Sequence, residues 1–344
     1  MITLYHRRWS REELEERVGH MDQLAGIRLV ESADGRGKGS RLFEVWTGGG
    51  LSFTVNAERA LDVTSCRYKD VPLAWASPSG YAHPAFYEPE GLGWLRTFAG
   101  GLLATCGLDQ FGAPSVDEGE PLGLHGRISN TPGRYVNYKT YWTSDRYMLE
   151  ISGEMRQARL FGENLVLRRR IITWLGSRTI RFEDIVTNEG FASHPHLILY
   201  HFNLGFPLVS EVTRLALNAE RSEPRDADAE VGFGAWDRLQ APTAGYKEQV
   251  FHHVLRADDE GRVQVEVENR ALGLGLRFSY EKASLPHLFE WKMMGQGAYV
   301  LGIEPGNSSG IGGRADARAK GDLPMLEPGD SRHYVIDVEV VEYT

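Results

Sequence analysis

What most restricts the fold of this chain is the way its apolar residues alternate in short runs that Gly, Pro, Asn and Asp keep interrupting. "LFEVWTGGGLSFTVNAERALDVTSCRYKDVPLAW" from Leu42 and "RHYVIDVEVVEYT" at the C-terminus show the pattern. Period-two alternation sends successive side chains to opposite faces of a strand, and runs this short do not make helices. "LVLRRRIITWLGSRTIRFEDIVTNEG" reads as two strands joined by a Gly-Ser turn, the kind of hairpin that builds antiparallel sheets. The 39 glycines and 15 prolines are spread through the whole chain, so the reading extends along it. One helix signal stands apart: in "SREELEERVGH", Ser10 caps the first turn, Glu13 follows in capping-box register, and the helix is expected to end near Gly19. The expected fold is all-β, a large antiparallel β-sandwich with a short N-terminal helix. It forms one unit over residues 1–344, with 1–40 as helix and lead-in strand. Within it, "NAERSEPRDADAEVGFG" from Asn218 is expected to be a long loop, and the basic "LRRR" at Leu167–Arg170 the solvated part of a strand.

Charge and composition remove several classes of function. A formal charge of −9 argues against a sequence-independent grip on nucleic acid, which needs clustered Lys and Arg. Two cysteines, Cys66 and Cys106, give neither a disulfide framework nor a metal spacing, so a reducing compartment is the default. The charged N-terminus lacks the apolar stretch of a signal peptide, and no segment approaches about 18 consecutive apolar residues. The protein is therefore expected to be cytoplasmic and to have no membrane partner; a homodimer is compatible with the sequence.

Polar residues in places that favour core residues mark where chemistry could sit. In "HLILYHFNLGFP", alternation groups Leu197, Leu199, His201 and Asn203 on one face of a strand and Ile198, Tyr200, Phe202 and Leu204 on the other. The first face turns polar at its end, where a core histidine satisfied by one hydrogen bond is the plainer reading. His125 in "LGLHGRISNTPGR" precedes a glycine and a turn, beside backbone that can approach a ligand closely. Arg96 in "GWLRTFAGGLL" lies among aromatics and glycines, where a guanidinium can hold a hydroxyl or carboxylate, or simply stack. In "AYVLGIEPGNSSG", Val300, Gly302 and Glu304 share a face that Pro305 and Gly306 break, which places Glu304 at a strand end. Partial desolvation there raises a carboxylate's pKa and suits it to accept a proton near neutral pH. "HLFEWKMMGQG" sets Glu290 and Lys292 on one face, an exposed ion pair being the plainer reading, and Phe289, Trp291 and Met293 on the other. The adjacent His252 and His253 face opposite sides of a strand and cannot share one ion, so no metal site is expected.

Taken in order, "HGRISNTP", "YHFNLGFP" and "GIEPGN" resemble segments of the aldose 1-epimerase, or galactose mutarotase-like, family. The resemblance covers about Leu42 to the C-terminus and looks like a little-characterised bacterial branch. It implies a supersandwich fold, a sugar bound on a concave sheet, and no cofactor. Carried over by motif, His201 would be the general acid, Glu304 the general base, His125 a second histidine at the sugar ring, and Arg96 a substrate-binding arginine. Asn203 and Lys292 are further candidate contacts. The family's binding aspartate corresponds to Asp237 in "AWDRLQAP", or its task falls to Glu248 in "YKEQVFHH". Two departures stand out: His201 directly precedes Phe-Asn-Leu where members have two residues between, and the G-R-x-A-N-R-I segment is missing. The implied chemistry is the interconversion of aldose anomers, with acid and base on opposite sides of the C1–O5 region and a sugar-sized gap between them. A non-catalytic sugar-binding protein, and a glycoside-cleaving enzyme using Glu304 with Glu248 or Glu290, are the competing readings.

Overall fold

A computed structural model describes residues 1–144 and 146–343 of the chain. Antiparallel strands dominate, and the three largest sheets have five, six and eight strands. The five-stranded sheet is a meander of Gly26–Glu31, Arg41–Trp46, Leu51–Asn56, Asp62–Tyr68 and Val71–Pro72. Its alternation is the one visible in the sequence: along Leu51–Asn56, Leu51, Phe53 and Val55 are buried while Ser52 and Thr54 are half-buried.

The predicted hairpin after Asn164 forms as Asn164–Trp174 and Thr179–Asn188, turning at Gly176 and Ser177. It belongs to the eight-stranded sheet. The C-terminal strand Ser331–Glu342 enters that sheet between Thr179–Asn188 and Leu274–Glu281, so both of its edges are hydrogen-bonded. The six-stranded sheet runs in the spatial order Leu103–Leu108, Leu197–Gly205, Tyr299–Gly306, His287–Met294, Gln249–Leu255, Ala219–Pro224. One of its faces packs on the eight-stranded sheet to make the main apolar core.

Three expectations change. The N-terminal helix forms its Ser10/Glu13 capping box but spans only Arg11–Glu15, because Leu14 is its single buried residue and no apolar stripe continues it. The segment expected as a long loop begins with the edge strand Ala219–Pro224, whose charged residues suit a strand paired on one side only, and continues into the short helix Ala227–Glu230.

The third change concerns the basic run. Arg168 and Arg170 are solvated, but the Arg169 side chain is fully buried. It donates to both oxygens of Asp184, to Asp62 Oδ1 at 3.0 Å and to Ala60 O at 3.1 Å. Tyr200 Oη donates to Asp184, and Thr105 donates to Asp62 through both its amide and its hydroxyl. Through this one guanidinium all three large sheets are joined, directly behind the strand that carries His201.

Candidate active site

The strand Leu197–Gly205 is buried along its whole length, yet its two faces meet different surroundings. Ile198, Tyr200, Phe202 and Leu204 enter the main core, where the Phe202 ring meets Phe182 and Phe278 of the eight-stranded sheet. Leu197 and Leu199, on the opposite face with His201, belong to a smaller cluster with Trp94, Phe98, Phe111 and Phe289. His201 is thus not sealed between the sheets. It lies under a cover of aromatic side chains.

The register with Tyr299–Gly306, Phe202 opposite Ile303, sets Glu304 directly across from His201, and residues opposite one another share a face. His201 Nε2 lies 3.1 Å from Glu304 Oε1, with the two residues 4% and 3% exposed. This corrects the expected sugar-sized gap: direct cross-strand neighbours have Cβ atoms about 5 Å apart, too close for a ring to enter. The face the two side chains share is the one under the aromatic cover.

The sequence makes room for the carboxylate with a glycine. Gly302, two residues before Glu304 on the same face, lies across from Trp291. A Cβ there would fall 2.5 Å from Glu304 Oε1 and 2.8 Å from the Trp291 Cβ. Gly302→Ala is therefore expected to displace the carboxylate while leaving the chain folded, lowering turnover by about 10²-fold, the typical cost of a misplacement near 1 Å. Turnover assays alongside a thermal melt check it.

Around His201, ring centroids stand at 5.3 Å for Trp291, 5.4 Å for Phe98, 5.4 Å for His125 and 6.4 Å for Trp94. His125 holds a left-handed backbone, φ 58°, and its Nδ1 accepts the Gly112 N–H, which leaves the proton on Nε2. Burial lowers its pKa to about 4, so it is a neutral donor at physiological pH. Asn203 is fully buried and donates to the His201 carbonyl at 2.9 Å. Two buried polar atoms here, His201 Nδ1 and Asn203 Oδ1, have no hydrogen-bond partner, and Glu304 Oε1 has only the His201 ring beside it. Unsatisfied buried polar groups are rare in folded proteins, and these two lie on the face that carries His201 and Glu304.

Electrostatics acts on the pair in opposite directions. Burial pushes the His201 imidazole well below its usual value, and nearby His125 pushes the same way. Burial holds the Glu304 carboxyl well above the carboxylate range, reinforced by Glu248 and opposed by Arg225. These directions leave one proton on the pair between the two limits, on Glu304 with His201 neutral.

Other sequence candidates divide cleanly. Glu248 stands at the edge of the site, accepting from Trp291 Nε1 at 2.9 Å and from Arg225 at 3.1 Å. Arg96 does not reach the pair: its side chain is 71% exposed and bound to Glu88, because the Gly93–Arg96 turn points Trp94 inward and Arg96 outward. Lys292 and Glu290 share a face, as alternation predicts, but it is the face away from His201, and both are buried rather than an exposed pair. Asp237 acts electrostatically on those two residues, which separates it from the site. Sequence reading missed Trp94, Phe98, Trp291 and Arg225. The first two bracket Arg96 in the stretch already singled out, whereas Arg225 lay in the segment expected to be a loop.

A family model described as "Domain of unknown function (DUF4432)" matches residues 37–340. The chain belongs to this family. No curated protein sequence matches this DUF4432 member. Among solved structures, a candidate aldose 1-epimerase from Klebsiella pneumoniae shares 26% identity at a TM-score of 0.88, covering 96% of this chain and 90% of that one. A galactose mutarotase-like protein from Clostridium acetobutylicum has 13% identity and a TM-score of 0.64, covering 93% and 99%. Galactose 1-epimerase from Lactobacillus acidophilus has 12% and 0.60, covering 93% and 100%. The DUF4432 chain thus has a galactose mutarotase-like β-sandwich fold. Among its described residues no helix is long and apolar enough to cross a membrane.

Proposed function

We propose that this DUF4432 protein is an aldose 1-epimerase-like isomerase that interconverts the anomers of a free aldose or a close derivative. One observation carries the reading: a buried histidine and a buried glutamate in contact, at 3.1 Å, on a sheet face framed by aromatic rings and otherwise unpaired polar atoms. Opening the ring requires a proton to leave the C1 hydroxyl and one to reach the ring oxygen. With Glu304 ionised and His201 protonated, Glu304 accepts the first and His201 delivers the second; with the proton on Glu304, the form burial favours, the roles are exchanged. Because the pair holds one proton whichever partner carries it, each half of the cycle returns it to the same net charge. His125 Nε2–H and Asn203 orient the sugar, and the rings of Trp94, Phe98 and Trp291 offer their faces to its C–H groups. No cofactor enters this chemistry. Glycoside cleavage loses one of its two expected carboxylate pairs, since Glu290 lies on the opposite face.

The proton inventory predicts a pH profile. Protonating His201 as well stops the reaction on the acid side, and because its pKa is lowered, that limb lies below the ordinary imidazole value of about 6.5. Deprotonating the pair stops it on the alkaline side, and because the Glu304 pKa is raised, that limb lies well above the ordinary carboxyl value of about 4.3. A bell of kcat/KM against pH is expected between these limits. Polarimetry of freshly dissolved α-anomers, repeated across pH, tests both the activity and the profile; a flat profile at the spontaneous rate rejects the proposal.

A further inference from the structure

The strand His287–Met294 turns Trp291 toward His201 and Lys292 to the opposite face. On that far face a cleft of about 600 Å³ opens, bounded by the Ala227–Glu230 helix and the turn after it, by the 246–249 stretch and by Lys292. Lys292 is 3% exposed, yet its ammonium donates only to Ala235 O, at 2.9 Å. An ammonium has three donors, so two remain. Among the described residues no carboxylate lies within ion-pair distance of it. Burial draws its pKa down, with Glu290 and Asp237 pulling it back up.

Two more cations line the cleft. Arg238 and Lys247 have side chains 69% and 72% exposed; Lys247 binds Asp228 at 2.9 Å, and Arg238 lies 4.0 Å from Asp237. Val231 and Leu239 supply apolar wall. A buried ammonium with free donors at the floor and apolar walls above it suit a small molecule that ends in an oxyanion.

We propose that this cleft binds a small organic anion, with its carboxylate or phosphate seated on Lys292 Nζ, at a site separate from His201 and Glu304. Arg238 and Lys247 draw the anion in, and the walls hold its carbon skeleton. The inference stands independently of the isomerase reading, because none of its residues lies on the His201 face.

Isothermal titration of the full chain with citrate, glucose 6-phosphate and inorganic phosphate, and with glucose as the neutral control, tests it. Saturable binding is expected for citrate or glucose 6-phosphate, weakened about tenfold or more by Lys292→Met and weakened less by Arg238→Ser. Citrate binding alone points to a carboxylate ligand, and glucose 6-phosphate alone to a phosphorylated one. Should Lys292→Met fail to fold, the exposed Arg238→Ser and Lys247→Ser variants decide, each lowering affinity and its salt dependence. Absence of saturable binding by either organic anion, or binding that these variants leave within about twofold of wild type, overturns the proposal.

Discussion

Glu304→Gln is expected to reduce anomer exchange by about 10²–10⁴-fold, to near the spontaneous rate, while sugar binding survives. The amide keeps the shape that Gly302 accommodates beside Trp291 but cannot take the C1 hydroxyl proton. His201→Asn is expected to fall as far, because the ring oxygen then lacks its donor. Retention of more than about a tenth of wild-type activity in either variant, a barrier change under about 1.4 kcal/mol, would place the proton elsewhere. Rates from polarimetry together with sugar affinity by calorimetry separate lost chemistry from lost binding.

The second large effect is on stability. Arg169→Met leaves Asp184 and Asp62 buried without their shared cation, and removing one partner of a buried charge group typically costs about 3–5 kcal/mol. Urea denaturation read at the midpoint measures it. The loss should shrink at low pH. Burial already raises the Asp62 carboxyl and Arg169 opposes it, so without Arg169 the folded state binds more protons at Asp62 than the unfolded chain and its stability falls as pH rises above about 4. Adding Asp62→Asn and Asp184→Asn should recover part of the loss. A single variant as stable as wild type would mean the network contributes nothing net.

How far the sequence reaches can be judged at particular residues. Alternation correctly grouped His201 with Asn203, and Gly302 with Glu304, because period two is a property of a single strand. It also separated Lys292 from Trp291. Which of those faces met the aromatic cover depended on sheet order, and the order of six strands drawn from residues 103 to 306 is not written in any local pattern. The same limit hid the contact between His201 and Glu304: the register that sets them opposite one another follows from pairing across about a hundred residues. Arg96 illustrates a smaller scale of failure, since a four-residue turn decides which side chains face inward and its periodicity is not that of a strand. Arg169 looked solvated because its partners, Asp62 and Asp184, were invisible until the sheets stacked.

Two-dimensional exchange NMR on the wild-type protein, with neutral, deoxy, acidic and phosphorylated aldoses in turn, is the most direct test of the isomerase account. With catalytic amounts of protein, the account predicts cross-peaks between the α and β anomers of at least one sugar, growing faster than in a protein-free sample and falling to that baseline with Glu304→Gln. Saturable sugar binding with exchange no faster than the protein-free rate across the whole panel would contradict it and leave a sugar-binding protein on a mutarotase-like fold.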